Sequence, residues 1–519
     1  MPRSGSLIIV SLVAIMMVTA TIVILPQEEE GMFHYPSGMV ENDFTDICYY
    51  TDDYFTKPST QYDDSFATAT LCFAMSAFMS NIHDGDYKNK SCNAKEFLRM
   101  YNFRNIDAND GYDQKPTKDS IGIVFGEKTV DDDGKDYTLI AVGVRGYGYE
   151  AEWAGNFIVG TEDEREGHHK GFYDAAKIVL DDLESYISEN RIAGDIKVWI
   201  TGYSRGAAVT NIAAGLLDMS IANGEPVLGG NVTLDKEDLY AYCFEAPSGV
   251  YYEEGGEYPD PTSDIYNNIW SIINRNDPVT MLLMKSIGFQ RYGTDKYLPD
   301  SKCTEGYEER MEHMLEYYDA MDSRPIMMDY AIDDFVVYKI TLGDNILTDS
   351  VIEVDPDRTD ETQWMVLEEC MDFVIAEAGG REGYVRDVET GLVDLFDDIC
   401  THADDKLLLE LMETLALTLF LTTDIEELVN HIVEGDHKGI VDGLVDAIRI
   451  SLDAKGFDST KAESYADTIA TILVILNGAF KDQRMCSNFV TLAMNVAGVG
   501  GAHYPELCFA WLKSMDPNY

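Results

Sequence analysis

Residues 196–214 read IKVWITGYSRGAAVTNIAA. The first part is β-branched and aromatic, which reads as a buried strand. The second part, continuing to Gly224 as GLLDMSIANG, reads as a helix with small residues on one face. Between them stands Gly202-Tyr203-Ser204-Arg205-Gly206. A serine on a tight strand-to-helix turn has its hydroxyl pushed out of the fold, and glycines two residues to either side let strand and helix approach without a clash. The free N–H groups of the helix N-terminus then face a position where negative charge can develop.

Upstream, SIGIVFGEKTV from 120 and DYTLIAVGVRG from 136 predict two strands split by an Asp-Asp-Gly-Lys turn, followed by a helix over 170–190. Downstream, LYAYCFEAPSG and NNIWSIINRNDPV predict two further strands. Strands alternating with helices imply a mostly parallel sheet covered on both faces. From about 305 to 480 the pattern becomes helical, as in Ile440, Leu444, Ile448 and Leu452, with FVVYKITL (335–342) as one local strand-like exception. Residues 484–519 read as a helix, a Gly-containing loop and a terminal amphipathic helix. The expected division is therefore 1–30 as signal or anchor, 31–118 as an irregular and helical lead-in, 119–304 as the α/β core, 305–480 as a helical insertion and 481–519 as the closing segment of the core.

A serine hydroxyl is a weak nucleophile until a histidine takes its proton, and a carboxylate must fix that histidine's tautomer. On a sheet of this kind the chain order is serine, acid, histidine. Asp277, in Asn274-Arg275-Asn276-Asp277-Pro278-Val279, follows a strand at the carboxyl edge, where the acid belongs. Five histidines follow it: His313, His402, His431, His437 and His503. Those within the helical block sit among charged residues. His503 comes after a glycine-containing stretch and just before the last helix, and is the expected base.

The net charge of −55 argues against nucleic acid as a partner, because phosphate binding needs clustered Lys and Arg. Leu7–Leu25 is nearly all apolar, with Arg3 before it and Glu28–Glu30 after it, the layout of an export signal. The run is longer than the usual apolar core of about 7–15 residues in a cleaved signal, and just long enough to span a bilayer at about 20. Val18-Thr19-Ala20 has the form of a cleavage site but lies inside the run. The balance tips towards an uncleaved anchor holding the protein on the outer face of the membrane, with a secreted, cleaved form as the alternative. Nine cysteines show no zinc spacing, and Cys72 with Cys92 or Cys486 with Cys508 could pair or remain free thiols.

Five segments, in order, resemble the class 3 lipase family, the fungal-type triacylglycerol lipases and their bacterial relatives. LIAVGVRGYGYEAEW is similar to the family's strand ending in Arg-Gly-Thr/Ser, and GHHKGFYDAA to its His-x-Gly-Phe helix start. VWITGYSRGAAVTNIAA is similar to its nucleophile segment, CFEAPSG to its Phe-Gly-x-Pro strand end, and INRNDPV to its acid segment. The resemblance implies an α/β-hydrolase fold with Ser204 as nucleophile, Asp277 as acid and His503 as general base. It implies oxyanion donors in the backbone N–H groups of Tyr147 and Arg205, and a structural part for His169. It also implies a lipid or other acyl ester as substrate, with no metal or organic cofactor. Tyr203, Arg205 and Ala207 depart from the family's His, Leu and Gly, Tyr147 from its Thr or Ser, and the gap from Asp277 to His503 is long for compact members. Rival readings are an acyltransferase or peptidase using the same triad, a non-catalytic surface protein with a decayed hydrolase fold, and a helical block that docks a partner. Oligomeric state is not legible from the sequence.

Overall fold

The structure is a computed structural model. It describes residues 29–37, 40–81, 89–146, 152, 155–156, 158–160, 167–229, 231–252, 259–281, 288–323, 335–343, 349–384 and 477–519 except 480, with scattered single residues between 442 and 465. The apolar run 7–25, Tyr147, His402, His431 and His437, and most of the helical periodicity after 385 lie outside the described residues.

The centre is a seven-stranded sheet. Its strands are β3 (Arg104–Ala108), β4 (Ile123–Asp132), β5 (Lys135–Val144), β6 (Gly194–Tyr203), β7 (Val232–Phe244), β8 (Ile269–Ile273) and β9 (Thr294–Tyr297), neighbours in space in the order in which they follow in the chain. β5 to β9 run parallel, while β3 and β4 add an antiparallel edge. The β4–β5 hairpin turns at Asp133 and Gly134, both at positive φ, as a two-residue turn of matching twist demands. Helix α3 (Lys170–Glu189) links β5 to β6, and α4 (Arg205–Asn223) links β6 to β7. This is the mostly parallel sheet with flanking helices expected of an α/β-hydrolase, and the chain has that fold.

The period-two alternation of β6 divides the core. Ile196, Val198 and Ile200 point to one face, where α3 and α4 supply Phe172, Val179, Leu183, Ile212 and Ala213. Trp199 and Tyr203 point to the other, into a layer of aromatic rings. Each such ring removes roughly 150–250 Å² from water, so this second face is well able to hold further elements. It holds α1 (Asp64–Ser76), α2 (Cys92–Met100) and the C-terminal helix α8 (Pro505–Met515).

Two expectations are corrected. Residues 31–50 are not irregular. They form an antiparallel hairpin, β1 (Glu29–Ser37) with β2 (Val40–Tyr50), whose Phe33, Tyr35, Cys48 and Tyr50 are buried in the aromatic layer. The Tyr, Asp and Pro content disguised a strand pair because its acids are spoken for only in the fold, as Asp46 by Lys513 (2.6 Å) and Asp43 by Ser80 Oγ (2.6 Å). Residues 496–501 are not a loop either but a short helical turn, closed by Ala502 N–H donating to Gly498 O (3.0 Å).

All eight described cysteines are free thiols, so neither Cys72–Cys92 nor Cys486–Cys508 is bridged. In the insertion, α5 (Tyr307–Ala320) packs Met314 and Tyr318 into the aromatic layer. The strand-like stretch at 335–342 becomes β10 (Tyr338–Thr341), paired with β11 (Val351–Val354). This hairpin is held to α7 (Gln483–Met494) by Tyr338 N–H to Thr491 Oγ1 (2.9 Å) and Asn495 Nδ2 to Val336 O (2.9 Å). Helix α6 (Gln363–Glu377) follows, and its Gln363 side chain donates to Asn276 O in the turn that carries Asp277. Among the described residues no helix is long and apolar enough to cross a membrane.

Candidate active site

β6 ends at Tyr203, Ser204 takes φ 53° and ψ −124°, and α4 begins at Arg205. A non-glycine residue in that region is strained and is kept there only by its surroundings. The surroundings are visible at the two glycines. A Cβ on Gly202 would stand 2.4 Å from the carbonyl carbon of Gly206, and one on Gly206 would stand 2.7 Å from Val144 O and Arg145 O. Only glycine permits that approach, so the turn is tight because of the sequence around the serine.

Three elements bring three side chains to the carboxyl edge of the sheet. Ser204 follows β6, Asp277 lies four residues beyond β8, and His503 stands two residues before α8. His503 Nε2 is 2.9 Å from Ser204 Oγ, and His503 Nδ1 is 2.6 Å from Asp277 Oδ2. Ser204 and Asp277 are buried, while the His503 side chain keeps 25% exposure. In the tautomer protonated at Nδ1 the ring donates to Asp277 and accepts the serine hydroxyl at Nε2. That arrangement can carry a proton from Oγ to the ring while the acid holds the ring in place. Asp277 is itself fixed: its Oδ1 accepts Val279 N–H (2.8 Å), and its own N–H donates to Asn274 O (3.0 Å). His313, by contrast, is exposed on α5.

Two contacts that the sequence reading missed set the histidine's position. Tyr203 Oη donates to His503 O (3.0 Å), and Asn274 Nδ2 donates to Ala502 O (3.1 Å). The tyrosine inside the Gly-x-Ser-x-Gly motif and the first asparagine of the acid turn thus both clamp the backbone that carries the base. The departure from His at 203 was the available signal. Burial, first of all, pushes the Tyr203 phenol far up, so it remains a donor.

The Arg-Gly end of β5 is pinned from below. Arg145 is fully buried, bonded to Glu152, and donates from Nη1 to Gly111 O (3.0 Å). Glu152 also accepts from Ser120 Oγ (2.9 Å), and burial followed by the two arginines 145 and 205 governs its carboxyl, with a net upward shift. Arg205 is buried and reaches Asn156 Oδ1 (3.3 Å). Its backbone N–H lies in the first turn of α4, where helix donors have no intrahelical acceptor. His169 caps α3 by accepting Phe172 N–H at Nδ1 (3.3 Å), and burial, with Arg205 beside it, lowers it to about 3. It is therefore a neutral structural group.

Glu506, in the first turn of α8, is fully buried beside Ser37 and Ser323, and burial raises its carboxyl to about 7. A carboxyl raised in the folded state holds its proton in the fold but loses it in the unfolded chain between about pH 4.5 and pH 7, so stability falls as pH rises through that window. Glu506→Gln removes this slope. The variant should match the wild type near pH 4 and exceed it above pH 7 by about 3 kcal/mol, the equivalent of the shift. Denaturant unfolding at pH 4 and pH 8 checks it, and equal stability at both pH values would contradict a buried, raised Glu506.

Residues 141–286 match the family model Lipase (class 3). Among solved structures, a deletion mutant of the Rhizomucor miehei lipase–propeptide complex is 17% identical, with 46% of this chain and 66% of that chain covered and a TM-score of 0.29. A mutant form of MDLA from Penicillium cyclopium is 16% identical, with 46% of this chain and 81% of that chain covered and a TM-score of 0.28. No curated protein matches. The sheet and the strand–serine–helix turn make an α/β-hydrolase fold, and within it residues 141–286 match the class 3 lipase family model.

Proposed function

We propose that this chain is an exported serine hydrolase that cleaves carboxylic esters of lipids or other acyl compounds by a Ser204–His503–Asp277 triad. The observation that carries the reading is the unbroken relay from Ser204 Oγ through His503 to Asp277 at 2.9 and 2.6 Å. Ser204 attacks the ester carbonyl as Nε2 takes its proton. Asp277 holds the ring and stabilises the imidazolium, which then protonates the leaving alcohol. Water repeats the sequence on the acyl-enzyme. The tetrahedral oxyanion is received by the backbone N–H of Arg205 and that of Tyr147. The chemistry requires no metal or organic cofactor.

The insertion enters after the acid turn and leaves before the base, so both of its ends meet the catalytic edge. The Gln363–Asn276 contact favours that placement. In this reading it roofs the site and forms part of an acyl groove. Export rests on the Arg3 flank and the Leu7–Leu25 run, which serves as an outer-face anchor.

A fluorophosphonate probe applied to intact cells, with an ester panel on the purified full chain, tests both parts. The expected result is a labelled protein in the membrane fraction and turnover of esters in preference to amides. A labelled protein in the medium starting near Thr21 replaces the anchor with a cleaved signal. Absence of labelling with an intact fold would leave a non-catalytic surface protein.

A further inference from the structure

A second carboxyl stands directly behind the acid of the relay. Glu245 is the first residue after β7 and is wholly buried. Its φ of +50° lies in the left-handed region, at the place where the resembling Phe-Gly-x-Pro strand end has glycine. A side chain kept in that conformation needs surroundings that hold it there. Oε2 accepts Asn274 N–H (2.8 Å), whereas buried Oε1 has no hydrogen-bond partner among the described residues. Asn274 thus ties the two acids together, since its N–H serves Glu245 and its carbonyl accepts Asp277 N–H (3.0 Å), and the buried Glu245 carboxyl lies beside both the Asp277 carboxyl and the Cys508 thiol of α8.

Two carboxyl groups in contact and out of water do not both ionise. Asp277 is the one provided for as an anion, since Val279 N–H serves Oδ1 and the His503 ring serves Oδ2. Glu245 has the Asn274 N–H on Oε2 and only the weak donor of the Cys508 thiol beside it, so it is the poorer of the two places for the charge. The remaining groups around it do not change this assignment. Tyr203 on β6 and Cys508 on α8 are both pushed far up by burial and stay neutral, and Glu506 on α8 is raised to about 7 by burial. Arg291 is the cation that senses Glu245, and it is already held by Asp295 of β9 through bonds of 2.9 and 2.8 Å.

We propose that Glu245 is a positioning residue that stays protonated and donates its carboxyl proton to Asp277, so that the relay runs Glu245–Asp277–His503–Ser204 with one negative charge. This rests on the triad reading above. Burial, and then the charge of Asp277, push the Glu245 carboxyl well above the ordinary range, in keeping with the geometry. The donated bond fixes the plane of the Asp277 carboxylate against the ring. It also draws off part of the negative charge that Asp277 presents to the ring.

The sign of a pH shift tests this. The acid limb of kcat/KM reports the essential base of the free enzyme. Glu245→Gln keeps a donor for Asp277 and an acceptor for Asn274 N–H, and should leave that limb within about 0.3 pH units of the wild type. Glu245→Leu deletes the donor, leaves the full negative charge of Asp277 facing the ring, and should raise the limb by about 0.5–1 unit, the equivalent of one hydrogen bond. Difference infrared spectra of wild type against Glu245→Gln should show loss of a protonated-carboxyl C=O band. If Glu245 were instead a carboxylate, both variants would remove a negative charge near His503 and lower the limb, and no such band would be lost. Either result overturns the proposal. Should Glu245→Leu fail to fold, the Gln variant and the infrared band decide alone. Failure of the triad reading would look different: Ser204→Ala would keep its turnover while the infrared band remained assignable to Glu245.

Discussion

Ser204→Ala is expected to lower ester turnover by about 10⁴-fold or more, some 5.5 kcal/mol of transition-state stabilisation, because triad members act as a unit and lose almost everything together. The fold should survive the change. The Ser204 side chain makes no capping bond to α4, so its loss leaves no helix N–H newly unpaired. Alanine at φ 53° meets the same backbone strain that serine already bears. Among the described residues the one side-chain hydrogen bond removed is that to His503 Nε2, on a ring that is itself partly exposed. Thermal unfolding should therefore move little while steady-state hydrolysis and fluorophosphonate labelling both disappear. Turnover near the wild-type rate in a folded Ser204→Ala protein would remove the basis of the proposed function.

Changes at the other two members should be nearly as damaging. His503→Ala removes the base, and combining it with Ser204→Ala should cost little beyond either alone, because a relay missing one member is already broken. Asp277→Asn is the sharper probe. Asp277 is fully buried, and its two oxygens serve Val279 N–H and the His503 ring. An amide there presents donors to a ring that also needs to donate, which favours the wrong tautomer and should cost about 10⁴-fold in kcat. His313→Ala, at an exposed site on α5, should leave most of the activity. Parallel kcat and KM measurements on these variants distinguish lost chemistry from lost binding. Activity that depends on His313 and ignores position 503 would overturn the assignment of the base.

The sequence by itself determined the elements whose signals are local. The strand–turn–helix around Ser204 was legible because glycine spacing, β-branched residues and small helical residues are each local requirements of a tight turn. The alternation of β4 to β8 with α3 and α4 gave the parallel sheet, because a buried strand and an amphipathic helix have different periods. Chain order then picked Asp277 and His503 out of many acids and five later histidines.

Tertiary structure decided what depends on neighbours distant in the chain. The β1–β2 hairpin was hidden because its burial comes from rings on α2 and α8, more than 45 and 450 residues away in the chain respectively, as in Phe33 against Phe97 and Phe509. Strand β11 is largely exposed and takes its order from its partner β10, so its own residues carry little signal. Asn274 read as an ordinary motif member, and Tyr203 as a departure without a role, until the His503 segment folded back onto them. Glu245 is the sharpest case. In the sequence it is one of 93 acidic residues, and only the convergence of β7, the acid turn and α8 removes it from water and sets it against Asp277. Burial and proximity, the two quantities that decide whether a carboxyl is an anion or a donor, exist only once those three segments meet.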